Sequence, residues 1–182
     1  MSIVFFIFYI VFITGVYISK SKLQSLSCNA LCCLSCAVYL FIMGGYAGVI
    51  ACIAAASGSL YQLYLSKNIS TASQQKKALF YKFIGSIIFT IVGIMAVYQT
   101  PADLFLVVAI ISCRGSEMLD CNHKIKLGYL LAEAMWFVYA ANNALLGMYA
   151  VHCVMICLGL FTLYIKPKAH RVYAYYSLKL VT

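Results

Sequence analysis

The chain has 182 residues, of which 65% are apolar and 9% charged, and its 13 Lys and Arg against 4 acids give a net charge of +9. A helix needs about 20 residues to cross the hydrocarbon core of a bilayer, so this length allows about seven spans joined by short loops and excludes a separate soluble domain. Any chemistry must therefore sit within or between membrane helices.

Apolar segments near 3–19, 28–43, 46–65, 78–98, 102–119, 125–143 and 145–165 predict an all-α integral membrane protein with seven transmembrane helices. They are read as helices because a backbone in lipid must satisfy its own N–H and C=O groups. The alternation of a barrel strand is also missing. The first segment lacks a basic leader and an Ala-x-Ala site and is long enough to span, so it is expected to remain as the first helix.

The basic residues follow this order. Lys20 and Lys22 come after the first segment, and Lys67, Lys76, Lys77 and Lys82 lie between the third and fourth. Arg114, Lys124 and Lys126 surround the junction of the fifth and sixth, and Lys166, Lys168, Arg171 and Lys179 follow the seventh. The connections near Gly44-Gly45, Gln99-Pro101 and Asn142-Asn143 carry no basic residue. Because cytoplasmic loops retain basic residues, the N-terminus is expected outside and the C-terminus in the cytoplasm. The positive charge then reflects orientation and attraction to anionic headgroups of the lipid bilayer, and no nucleic-acid partner is needed. The sequon Asn68-Ile69-Ser70 falls on the cytoplasmic side and is discounted.

The second segment places Cys28, Cys32 and Cys36 at every fourth residue, with Cys33 beside them. Thiolates at that spacing could hold Cu(I). A lone helix does not close a tetrahedral site, however, and small residues favour close helix packing. No metal site or cofactor is expected.

An offset of 100 residues relates the two ends of the chain. It pairs Val38 with Val138, Tyr39 with Tyr139, Leu60 with Leu160, Leu63 with Leu163 and Tyr64 with Tyr164, and upstream Phe5 with Phe105 and Gly15 with Gly115. Span, basic loop, span, uncharged turn and span recur in the same order. The expected organisation is a first three-helix unit (1–67), a linker helix (68–100), a second three-helix unit (101–167) and a cytoplasmic tail (168–182). One intervening helix lets both units run in parallel, which places a site between them.

Glu133, about eight residues into the sixth segment, is the sharpest polar signal, since a carboxylate at that depth must pair, protonate or face water. A proton-linked or substrate-binding role competes with a buried pair to Arg114 or a bond to a tyrosine. His152, the repeat mate of Cys52, could relay protons or bind a ligand. Trp136 and Tyr139, with Tyr39 as the mate of Tyr139, could stack a sugar or nucleobase, although aromatic packing is the commoner role. Gln62 and its counterpart Thr162 lie late in the third helix of each unit. The turns Gly44-Gly45 and Asn142-Asn143 suit left-handed helix ends.

The run Cys36-Ala37-Val38-Tyr39-Leu40-Phe41-Ile42-Met43-Gly44-Gly45-Tyr46-Ala47 and the segment Trp136-Phe137-Val138-Tyr139 resemble the YgjV-type bacterial inner-membrane proteins. The three-one-three order is similar to that of the SWEET sugar facilitators and, more loosely, to the PnuC transporters and the KDEL-receptor fold. The resemblance implies a bacterial inner-membrane location and a SWEET-like frame of two parallel three-helix bundles. It differs in proline, because the only two, Pro101 and Pro167, stand near span ends.

No nucleophile elbow, P-loop or His-Glu-x-x-His is present, so an enzyme is disfavoured. The expected function is a transporter or facilitator of a small polar metabolite by alternating access, with Glu133, Trp136, Tyr139, Tyr39, Gln62 and His152 as substrate-binding candidates. The alternative is a non-transporting receptor, sensor or scaffold on the same frame, and a homo-oligomer is left open.

Overall fold

The computed structural model describes residues 2–68, 72–119 and 121–165. The tail 168–182, the basic residues from Lys166 onward, Asp120, and Ile69 and Ser70 of the sequon lie outside them.

Among the described residues seven α-helices follow one another: α1 (Ser2–Ile18), α2 (Lys22–Met43), α3 (Tyr46–Asn68), α4 (Ala72–Ala96), α5 (Leu104–Glu117), α6 (Asn122–Asn142) and α7 (Leu146–Leu160). A 3-10 turn, Pro101–Asp103, leads into α5, and a π-helical turn, Phe161–Ile165, ends α7. Among the described residues there is no strand.

Among the described residues, four stretches are long and apolar enough to cross a bilayer: Lys22–Met43, Tyr46–Asn68, Ser73–Ala96 and Leu146–Tyr164. The other three fall short in different ways. α1 is apolar but has 17 residues, α5 has 14, and α6 has 21 but carries Lys124, Lys126 and Glu133. The expectation of seven spans is thus wider than helix length and apolarity alone support.

Local chemistry sets the helix ends. α2 begins upstream of its apolar segment because Ser21 Oγ accepts the Gln24 N–H at 3.2 Å, satisfying one of the free donors of the first turn. Pro101 starts the turn before α5, and the Asp103 carboxylate folds back onto the N–H groups of Gln99 and Thr100 at 2.8 and 3.0 Å. The α2–α3 corner ends in Gly44 at φ 78°, with Gly45 N–H bonded to Leu40 C=O at 2.9 Å.

The corner between α6 and α7 repeats this geometry at the same offset of 100. Leu145 N–H bonds to Ala140 C=O at 3.0 Å, and Leu146 N–H bonds to Ala144 C=O as Tyr46 N–H does to Gly44 C=O. One expectation is corrected here: neither Asn142 nor Asn143 takes the left-handed conformation. Ala144, the mate of Gly44, does so at φ 53°. The position is dictated by the corner, so whichever residue falls there must adopt it.

The helices contact one another in a closed cycle, α1 to α2, α2 to α3, α3 to α5, α5 to α6, α6 to α7 and α7 back to α1, with α4 packed on α3 and α5. Small residues allow the close approaches. Gly128 on α6 sits so near α5 that an added Cβ would lie 2.8 Å from Ser112 C=O. The face of α3 toward the bundle is made of Ala47, Gly48, Ala51, Ala54 and Ala55, all buried. Large apolar side chains such as Phe80, Ile88, Phe89, Val92 and Met95 of α4 are exposed, as suits a surface solvated by lipid.

Candidate functional site

Two groups of polar side chains lie inside the bundle. The first is built on Glu117, at the last turn of α5 and fully buried. Its Oε2 receives Arg114 Nη1 at 2.7 Å and Lys82 Nζ, from α4, at 2.9 Å. Its Oε1 accepts the Tyr129 hydroxyl at 2.7 Å and the Ser59 hydroxyl at 3.2 Å. Gln62 completes the shell, donating to Glu117 C=O at 2.8 Å and accepting from Lys82 at 2.6 Å. Asn29 of α2 reaches the same group by donating to Ser59 Oγ at 3.0 Å. The carboxylate ties four helices directly, and Asn29 joins α2 to them through Ser59. Gly58 makes the room, because a Cβ there would lie 2.6 Å from Arg114 Nη1. Among the described residues, the Arg114 Nε–H has no partner.

Two expectations are corrected by this network. Lys82 and Arg114, read as cytoplasmic topology charges, are buried structural cations. Of the alternatives for Glu133, the pair with Arg114 does not form, because Arg114 belongs to Glu117. The acid itself was missed, since it falls at the end of an apolar segment near basic residues. The signal that could have found it is the Arg114-x-x-Glu117 spacing, which puts both groups on one helix face.

The second group is centred on Glu133. Its Oε2 lies 2.5 Å from His152 Nδ1, and His152 Nε2 is 3.0 Å from the Tyr9 hydroxyl. Trp136 stacks on the imidazole with ring centroids 5.8 Å apart and planes 13° apart. The second group therefore joins α1, α6 and α7. Tyr9 carried no distinguishing mark in the sequence, being one of 15 tyrosines.

Between the two groups lies a cavity of about 50 Å³ lined by every helix except α4. Its lining follows the repeat: fourteen of the seventeen residues form seven pairs separated by 100 positions. On the first three helices the pairs contribute Tyr9, Ile13, Asn29, Cys32, Cys33, Cys36 and Cys52. On the last three they contribute Ala109, Cys113, Tyr129, Ala132, Glu133, Trp136 and His152. One wall is rich in thiols, whereas the other holds the carboxylate, the indole and the imidazole. Among the described residues, no group of three or more His, Cys, Asp or Glu is placed to hold a metal ion.

Of the six candidate residues, Glu133, Trp136 and His152 meet at the cavity. The other three do not line it. Gln62 belongs to the Glu117 network. Tyr139 is buried with its hydroxyl beside Gly48, where a Cβ would lie 3.2 Å from it. Tyr39 packs on Phe6 with ring centroids 5.0 Å apart. Depth, spacing along a helix and repeat position recommend all three, but none of these fixes the helix face.

At the basic end of the bundle the two halves hold each other reciprocally. Lys22, at the start of α2, donates to Leu119 C=O beyond α5 at 3.0 Å. Lys126, at the start of α6, donates to Tyr17 and Ser19 C=O at the end of α1, at 2.5 and 2.7 Å. Each lysine thereby satisfies carbonyls at a helix C-terminus, where cations are favoured. Comparison with protein-family models, curated proteins and solved structures finds no match for the chain.

Proposed function

We propose that this chain is a multi-pass membrane carrier of a small polar metabolite, working by alternating access between two parallel three-helix units joined by α4. The observation that carries the reading is the cavity: its paired lining spans both halves of the chain, and Glu133, Trp136 and His152 converge on one of its walls. A central site between repeats is the arrangement such carriers use. A water needs roughly 10–15 Å³ of such space, so the cavity holds only a few, and a larger solute enters only when the lining helices part. The reciprocal Lys22 and Lys126 bonds close the basic end, and inward opening would have to release them.

The reading includes seven spans, a bacterial inner-membrane location of the YgjV type, and an N-terminus outside. Saturable uptake of labelled sugars, nucleosides, vitamins or small carboxylates into proteoliposomes, lost in Glu133→Gln, is the expected result. No saturable uptake across that panel would count decisively against a carrier. Orientation has its own test in Cys121, exposed before α6, whose thiol the backbone N–H groups of Lys124 and His123 hold below the usual range. A membrane-impermeant maleimide should label it from the cytoplasmic face; labelling from outside would reverse the topology.

A further inference from the structure

We propose that the Glu133–His152 pair is a proton-binding site whose loaded form takes a small monoanion, of the size and chemistry of a short carboxylate, into the adjoining cavity. The inference rests on the carrier reading for its purpose, but not for its detection.

The first argument is the order of donors. With one ring proton, His152 Nδ1–H donates to Glu133, and Nε2 accepts the Tyr9 hydroxyl at 3.0 Å. A proton added at Nε2 reverses that bond: Nε2–H now donates to the Tyr9 oxygen, and the Tyr9 O–H must turn elsewhere. Tyr9 lines the cavity, so the released hydroxyl becomes a donor there. No other bond changes, and the carboxylate remains the counter-ion of the imidazolium. Imidazole is the side chain whose charge changes near neutral pH.

The second argument is charge. The pair faces Tyr9 and Tyr17 from α1, Cys32, Cys33 and Cys36 from α2, Cys52 from α3 and Cys113 from α5, thiols and phenols, side-chain types that ordinarily carry no charge near neutral pH. Beyond Tyr129 stand Lys82, Arg114 and Glu117. With His152 neutral, two buried cations face two buried carboxylates and the sum is zero. Asp103 is buried apart from these, held by the N–H groups before α5. One added proton leaves one uncompensated positive charge inside the bundle, where an unpaired charge is strongly disfavoured. A monoanion entering with the proton restores neutrality. A cavity of about 50 Å³ holds a few water-sized groups, which matches formate or acetate.

The chain carries its own reporter, since its single tryptophan is the residue stacked on His152. Contact with a protonated imidazole quenches indole emission. The full chain in nanodiscs should therefore show a Trp136 fluorescence transition with pH that disappears in His152→Gln. Glu133→Gln, which takes away the counter-ion of the imidazolium, should change or abolish the transition. Formate and acetate should raise the midpoint with the logarithm of their concentration once they begin to bind, as linkage requires, while formamide and acetamide should not. Tyr9→Phe, which keeps the ring, should retain the transition and lose the response to the anions.

A transition that survives His152→Gln, or that Glu133→Gln leaves in place, overturns the proton site. Amides acting like carboxylates, or neither acting, overturns the monoanion. None of these readings requires turnover, so a site that titrates as described in a chain without uptake would sink the carrier reading alone.

Discussion

Glu117 and Glu133 are both carboxylates buried among helices, yet their surroundings differ in kind. Glu117 has two cations and two hydroxyl donors on its oxygens and no exposure. Glu133 has one partner, itself titratable, and its side chain is 11% exposed at the edge of a cavity. The first is saturated, so it holds helices together. The second keeps acceptor lone pairs without a donor on the side of the cavity. Depth in a membrane does not distinguish an anchor from a working group, whereas the number of donors already in place does.

The comparison breaks most easily at Glu117. Glu117→Gln leaves Lys82 and Arg114 buried without a carboxylate and should destabilise the fold by about 3–5 kcal/mol, read by thermal unfolding in micelles. Adding Lys82→Met should recover part of the loss; no recovery would mean that Lys82 is not charged in place. Tyr129→Phe removes one charge-assisted bond to Glu117 and should lower stability by about 1.5–3 kcal/mol.

At Glu133 the order reverses, with small effects on stability and large ones on activity. Glu133→Gln keeps an amide beside His152, so unfolding should move by only about 0.5–1.5 kcal/mol while uptake is lost. A variant as unstable as Glu117→Gln would make Glu133 a second anchor and erase the distinction. The smallest expected effect touches neither carboxylate. Ala144→Gly relieves a left-handed alanine and should stabilise by about 0.5–1 kcal/mol, leaving uptake and Trp136 emission unchanged.

Much of this was legible in the sequence because it depends on periodicities that apolar residues and turns display directly. The helix order, the corners at Gly44 and near Asn143, and the placement of Glu133 and His152 inside the bundle follow from such patterns. The offset of 100 was visible only through scattered identities, while in the structure it governs the cavity lining. What could not be read was azimuth. Tyr39, Tyr139 and Gln62 stand at suitable depths, but a rotation of one residue about a helix axis moves a side chain by 100°, and apolar segments in lipid give little amphipathic signal to fix it. The same lack hid Lys82 and Arg114, since a basic residue near a segment end reads as a loop charge until its partner is placed.

The seven lining pairs also have a meaning for engineering. Each position on the wall that carries chemistry has an address on the thiol wall: Glu133 at Cys33, Trp136 at Cys36 and His152 at Cys52. The chain thus holds a template and a blank in one molecule. Writing Cys33→Glu, Cys36→Trp and Cys52→His onto the blank would ask whether a second copy of the site, facing the first, can be installed by address alone.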